Sequence, residues 1–321
     1  MANLICGVDV SADTLDARVG RDGASGRFAN TSEGVAELAA FCHRNKVALV
    51  AMEATGGYEQ RAVGLLWADA IGCAIVNPRG VRRFAEAMGV LEKTDRIDAG
   101  MIAWYAEVKR IAAQPPADQT QRRLAALVTR LRQLTDSQTR ERNQRRLVDD
   151  PEVLDSFTAV LAVIAARIRD LERRIGELIA ADPLWRALDT AFREIKGVAD
   201  RTVARLLADL SEIGTLSNKA AAKLVGYAPI ANDSGKSHGK RAVRGGREAI
   251  RSVLFIVAAV VRRHNADFAT FGERLSGAGK PPKVVRTALA HKLLTRLNAK
   301  ARDVRREAGA RVQNDVAAPG G

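Results

Sequence analysis

Four carboxylates stand where the surrounding pattern can gather them. Asp9 directly follows the apolar run Leu4 to Val8, Glu53 directly follows the run Val47 to Met52, and Asp95 and Asp98 lie on a helix expected to run from about Thr94. Residues three apart on a helix are neighbours, so Asp95 and Asp98 can point at one spot. Hard oxygen donors of this kind suit Mg²⁺ or Mn²⁺. Two such ions about 4 Å apart can activate an attacking oxygen and stabilise a leaving oxygen in phosphodiester transfer. Each acid also has a plainer reading. Asp95 suits the positive end of its helix, Asp9 can cap the turn at Ser11, and Glu53 can meet a surface cation. Together they carry more weight, because an acid placed after each of two buried runs puts charge at the edge of a core, which is costly without a cation or partner.

A second reactive group lies far along the chain. Residues 228–240 are polar and rich in small side chains, and are expected to form a loop just before a basic helix. The triplet Gly235-Lys236-Ser237 invites a phosphate-cradling P-loop, but that motif needs a glycine five places before Gly235, where Ile230 stands. What remains is a serine flanked by Gly, Lys and His, in a positive setting where a hydroxyl can attack phosphorus while cations stabilise the developing charge. Lys236, Lys240, Arg241, Arg244, Arg247 and Arg251 crowd this stretch. The plainer reading is solvated surface; the sharper one is a footprint for nucleic acid.

The elements that must position these groups are legible from charge and periodicity. The 321 residues carry a net charge of +14, distributed as −1 over residues 1–113, +3 over 114–229 and +12 over 230–321. A balanced first part joined to a strongly basic last part suits one domain that does chemistry and another that grips a polyanion. The longest apolar run, Val253 to Val261, is too short for the roughly 20 residues of a membrane helix, and the first residues carry no basic leader, so a cytoplasmic protein is expected. Cys6, Cys42 and Cys73 are too dispersed for a zinc cluster and read as core residues in a reducing compartment. Aromatic residues make up 4% of the chain, too few for an all-β sandwich or a stacking platform.

Strands are expected at Leu4 to Val8, Thr14 to Gly20, Arg27 to Ala29, Val47 to Met52 and Cys73 to Asn77, with helices between and after them in the order β-β-β-α-β-α-β-α-α as far as about Arg110. Beyond Gln114-Pro115-Pro116, Leu124, Leu127, Leu131 and Leu134 alternate three- and four-residue steps. After the turn Asp149-Asp150-Pro151, the same alternation continues from Leu161 to Leu178. That predicts the two arms of a coiled-coil hairpin, the plainer alternative being a helical subdomain that covers its own stripe. Residues 195–199, Ile-Lys-Gly-Val-Ala, read as the turn of a helix-hairpin-helix element or as a plain connector. Helices follow near Ser217 to Leu224 and from Arg247 to about His264, with a frayed tail expected after Glu307.

Three stretches carry a family resemblance: Gly7-Val8-Asp9-Val10-Ser11, Met52-Glu53-Ala54-Thr55-Gly56-Gly57-Tyr58 and Asp95-Arg96-Ile97-Asp98-Ala99. They resemble the DEDD motif of the IS-one-ten (IS110) family of insertion-sequence transposases, a family that includes Piv-type DNA invertases and bridge-RNA-guided recombinases. The resemblance covers nearly the whole chain. It implies a RuvC-like α/β domain of the RNase H class at residues 1–112, a coiled-coil helical hairpin for oligomerisation at 113–190, a mainly α C-terminal domain with the serine loop at 191–306, and a flexible tail at 307–321. It further implies Mg²⁺ or Mn²⁺ on Asp9, Glu53, Asp95 and Asp98, and a serine nucleophile best matched by Ser234, with Ser237 as the alternative. The site would be composite between the subunits of a dimer or tetramer, acting on double-stranded donor and target DNA selected by a structured guide RNA. Two other readings stay open: a Holliday-junction resolvase or nuclease that uses metal-activated water, and a non-catalytic protein that bridges nucleic acids. An actin-like phosphotransferase would suit the glycines near Asp9 and Glu53 but gives the +12 segment no role.

Overall fold

The computed structural model describes residues 4–90, 95–230, 233–234, 237–239 and 242–317, and the chain divides into two compact units, Met1–Ala117 and Asp118–Gly321. In the first unit, β1 (Leu4–Val10), β2 (Thr14–Val19) and β3 (Ser25–Ala29) form an antiparallel meander. It is followed by α1 (Ser32–Arg44), β4 (Val47–Glu53), α2 (Glu59–Ala68), β5 (Cys73–Val76), α3 (Pro78–Ala87) and α4 (Asp95–Val108). The strands lie in the order β3-β2-β1-β4-β5, with β4 parallel to β1 and β5 parallel to β4. This is the expected element order, in a mixed five-stranded sheet.

Strand alternation separates two layers. Cys6, Val8 and Val10 of β1, Leu15 and Ala17 of β2, and Val50 and Met52 of β4 pack under α1 and α2 through Leu38 and Leu66. Ala51 and Ile5 face the other side, where Met101, Ile102 and Ala106 of α4 and Val81 of α3 cover them. Because β4 is covered on both faces, Leu49 to Met52 read as a continuous apolar run rather than an alternation. The rings of Phe84 and Trp104 meet edge to face at 5.0 Å and join α3 to α4. All three cysteines are buried, and burial pushes the Cys73 thiol up to about 12.

The second unit opens with α5 (Gln119–Arg145) and α6 (Pro151–Ala181), which pack along one another. Local signals set their starts: Asp118 caps α5 through the N–H of Gln121, and Asp150 caps α6 through that of Val153 with Pro151 behind it. Next come α7 (Pro183–Arg193), α8 (Asp200–Asp209), α9 (Asn218–Val225), the short strands β6 (Pro229–Ile230), β7 (Asp233–Ser234), β8 (Ser237–His238) and β9 (Ala242–Val243), and then α10 (Glu248–His264), α11 (Ala266–Gly277) and α12 (Pro282–Ala317). One continuous core joins Leu124 and Ile175 from the paired long helices to Phe192, Leu254, Phe268 and Leu293. So the base of the α5–α6 arm is sealed within its own unit, whereas Leu147, Val153, Val160 and Val163 towards its tip are exposed, Leu147 by 85% and Val163 by 62%. Helix α12 continues through Glu307 to Ala317, beyond the point where the sequence suggests a tail.

Candidate active site

The strand register brings two of the four carboxylates together. Val8 pairs with Met52 in the parallel β1–β4 ladder, so Asp9 and Glu53, one residue further on each strand, lie side by side at the strand ends. Asp9 also sits opposite Asp16 on β2, and Gly7 opposite Arg18. By strand alternation Gly7, Asp9, Ala51, Glu53, Asp16 and Arg18 share the face that α4 covers.

Helix α4 approaches that face unusually closely. A Cβ on Gly7 would lie 2.0 Å from the carbonyl oxygen of Ala99 and 2.5 Å from the amide nitrogen of Ala103, so no side chain fits between β1 and α4. Asp98 precedes Ala99 and is half-buried; Asp9 lies two residues along β1 from Gly7. The contact therefore seats Asp98 over the face that carries Asp9 and Glu53. Asp95 opens α4, and its side chain lies outside the described residues. Among the described residues, no three His, Cys, Asp or Glu side chains are drawn together tightly enough to hold a metal ion. The donor chemistry nonetheless fits a hard divalent cation: carboxylates on adjacent strand ends, with a helix bearing two more laid across them.

Two polar residues that sequence reasoning passed over hold the loops behind these acids. Asn30, buried just after β3, donates from Nδ2 to the carbonyl oxygens of Ser11, 2.9 Å, and Tyr58, 3.3 Å, and its own carbonyl accepts from Arg61 at 2.6 Å. It thereby ties the segment following Asp9 to the segment following Glu53. Glu59, 4% exposed, accepts from the amides of Thr55 and Gly57, both at 3.0 Å, and from Gln60. Burial would raise its pKa, but these hydrogen bonds to the carboxylate outweigh burial and hold it below the ordinary value. The available signal was an acid at the first position of a helix after a Gly-Gly turn, which reads equally well as an ordinary first-turn charge.

In the second unit, the segment expected as a loop carries two short antiparallel strand pairs among its described residues. β6 pairs antiparallel with β9, and β7 with β8, so Ser234 stands opposite Ser237 across a two-stranded hairpin. The reason is the return of Ala242-Val243 onto Pro229-Ile230, pairings of residues 12 and 14 apart that no local turn signal announces. The Ser234 side chain, and the whole of Lys236, Lys240 and Arg241, lie outside the described residues. Of the remaining basic candidates, Arg244 is exposed. Arg247 forks onto Glu212, with Nη1 2.6 Å from Oε2, and also donates to the Asp209 carbonyl at 2.9 Å; Arg251 donates to the carbonyls of Gly245 and Val225. Elsewhere in this unit Arg286 lies 4.3 Å over the ring of Phe255 and Lys292 4.5 Å over that of Phe271. Part of the positive charge near the C-terminus thus holds the unit together.

A family model described as Transposase, for the DEDD transposases of the IS110 type, matches residues 6–148, and one described as Transposase IS116/IS110/IS902 family matches residues 189–273. Pilin gene-inverting proteins of Moraxella lacunata and Moraxella bovis are each 27% identical over 314 residues, covering 92% of this chain and 94% of theirs. The Insertion element IS110 uncharacterized 43.6 kDa protein of Streptomyces coelicolor is 31% identical over 154 residues, 47% of this chain and 37% of that protein. Among solved structures, that of Thermus thermophilus RuvC is 15% identical with a TM-score of 0.24, covering 34% of this chain and 98% of that one. No helix among the described residues is long and apolar enough to cross a membrane.

Proposed function

We propose, for a chain that belongs to the IS110 family of transposases and is accordingly a DNA-recombining enzyme, that cleavage and transfer run on Asp9, Glu53, Asp95 and Asp98 in the first unit and on Ser234 in the second. The observation that carries this reading is the parallel pairing of Val8 with Met52, which sets Asp9 and Glu53 on adjacent strands one residue further on, and the close contact of β1 at Gly7 with the helix that bears the two aspartates. The four carboxylates would hold Mg²⁺ or Mn²⁺, which when bound supplies Lewis acidity at the phosphate oxygens. Asp9 and Glu53, fixed by the sheet, would set the position of such a cation and thereby of the scissile phosphate. The Ser234 hydroxyl forms a bond to phosphorus as a strand oxygen departs, keeping the strand on the protein until a second strand displaces the serine.

The partition by role follows the same reading: residues 1–112 for metal-dependent chemistry, 113–190 for association of copies into a dimer or tetramer, 191–306 for the serine and DNA contact, and 307–321 as a tail. The exposed Leu147, Val153, Val160 and Val163 near the tip of the α5–α6 arm support association there. The exposed Arg244, with Lys236, Lys240 and Arg241 beside it in sequence, is the best-supported contact to the DNA backbone. We also propose a structured RNA as guide for choosing donor and target. It is tested by sequencing the nucleic acid that survives a high-salt wash of the protein co-expressed with the DNA flanking its gene. Two relatives are named for inverting a pilin gene, so inversion stands beside insertion and excision as the outcome to assay.

Trapping with denaturant tests the chemistry. The wild-type protein leaves a covalent protein–DNA adduct, Ser234→Ala leaves none, and Ser237→Ala still does. An adduct formed by Ser234→Ala removes Ser234 as nucleophile. Cleavage without any adduct in the wild type points to metal-activated water and a nuclease.

A further inference from the structure

Beside the carboxylates, on the same face of the sheet, lies a cavity of about 280 Å³ walled by Asp16 and Arg18 of β2, Ser25 and Arg27 of β3, and Ala99 of α4. Its two cations differ. Arg27 is matched by Asp16 in a two-pronged ion pair, Nε to Oδ1 at 2.7 Å and Nη2 to Oδ2 at 3.1 Å. Arg18 has its Nε buried with no hydrogen-bond partner. A buried donor left unmade is costly, the more so on a charged group. The aliphatic stem of Arg18 runs over α4 at Gly100, where an added Cβ would lie 3.3 Å from the Arg18 Cδ and 2.6 Å from the Arg21 carbonyl oxygen, so the helix leaves room for that stem. Register fixes the distance to the chemistry. Arg18 stands opposite Gly7 and Asp16 opposite Asp9, which makes Arg18 a diagonal neighbour of Asp9 at about 7–8 Å.

A guanidinium lining a cavity next to carboxylates that would hold a divalent cation offers two positive points in a row, the spacing at which successive phosphates of one nucleic-acid strand follow each other. We propose that Arg18 is a strand-positioning residue. It takes a non-scissile phosphate of the DNA strand into this cavity, in the two-pronged manner that arginine offers and lysine does not, so that the neighbouring phosphate falls at Asp9 and Glu53. The proposal rests on the carboxylates being the cleavage site. It adds that Arg18, with its Nε unpartnered in the free protein, contributes its charge to the bound strand.

The full-length protein tests it with three readouts: thermal melting without DNA, the salt dependence of anisotropy with a fluorescein-labelled 20-nucleotide single strand, and nicking of a supercoiled plasmid that carries the gene's flanks, in Mg²⁺ or Mn²⁺. Arg18→Met keeps the stem and removes the charge. It is expected to melt at or above the wild-type temperature, to lower the slope of log K against log salt by about 0.7, and to raise KM for nicking about tenfold with kcat unchanged. Arg18→Lys restores the salt slope but only part of KM. If Arg18→Met melts lower while slope and KM stay wild-type, Arg18 is a structural stem and the proposal is overturned. Should Arg18→Met fail to fold, an Arg18→Lys protein with wild-type KM overturns it equally. Asp9→Asn separates the two readings. If the wild type shows no metal-dependent nicking beyond that of Asp9→Asn, the carboxylate site is refuted, and the salt slope alone decides Arg18.

Discussion

Replacing Gly7 by alanine should damage both stability and chemistry, because the α4–β1 contact admits no side chain. The added Cβ would lie 2.0 Å from the Ala99 carbonyl oxygen, whereas carbon and carbonyl oxygen ordinarily approach to about 3.3–3.6 Å even in the closest favourable contacts. The atom it meets is backbone in mid-helix, so relief requires α4 as a whole to retreat by roughly 1 Å. Overpacking of this kind costs about 1–3 kcal/mol, which corresponds to a fall in Tm of about 4–12 °C for a unit of this size. Asp98 adjoins Ala99 and moves with it. A misplacement of about 1 Å is enough to cost on the order of 100-fold in rate. The assays are thermal melting and metal-dependent plasmid nicking, with Gly64→Ala as control, since no atom lies within 4 Å of a Cβ built at that helical position. Gly64→Ala should be neutral or gain about 0.5–1 kcal/mol. A Gly7→Ala protein with wild-type Tm refutes the packing argument; one with lowered Tm and undiminished nicking refutes the link between α4 position and the carboxylates.

Two further expectations concern the scaffolding. Glu59→Gln should lose about 1–2 kcal/mol, since a neutral amide replaces the carboxylate that accepts from Thr55 and Gly57. Because the folded pKa of Glu59 is depressed, its contribution is fully present above the ordinary glutamate value and fades as pH falls through the folded value, so wild type and Glu59→Gln should converge in Tm in acid and diverge towards neutrality. Asn298, fully buried, accepts from the Gly214 amide at 2.9 Å and donates to the Leu216 carbonyl at 3.0 Å. Asn298→Leu should therefore lower stability by about 2–3 kcal/mol by stranding both groups, read as a lower midpoint in urea at an unchanged slope.

What could be read from the chain alone follows the range of the interactions involved. Apolar runs ending at Asp9 and Glu53, the turn at Asp149-Asp150-Pro151, and the element order of the first unit are written in windows of a few residues, because turn chemistry and periodicity act over one or two turns. Asp9 and Glu53 stand out for the same reason, each an acid at the end of an apolar run, whereas Asp95 and Asp98 stand out by their three-residue spacing on a helix.

Other features rest on contacts that local pattern does not encode. The match of Asp9 with Glu53 depends on a parallel register between strands separated by a whole helix, and the face they share depends on α4 meeting β1 at Gly7. In sequence Arg247 and Arg251 looked like the rest of a basic cluster; their partners Glu212, Asp209 and Val225 lie 26 to 38 residues away. Asn298 serves Gly214 across 84 residues. Arg18 was an ordinary charged residue on a strand until β2, β3 and α4 enclosed it with its Nε unpartnered. Charge and periodicity are properties of neighbours along the chain; whether a polar group is satisfied is decided by neighbours in space, and only tertiary packing supplies those.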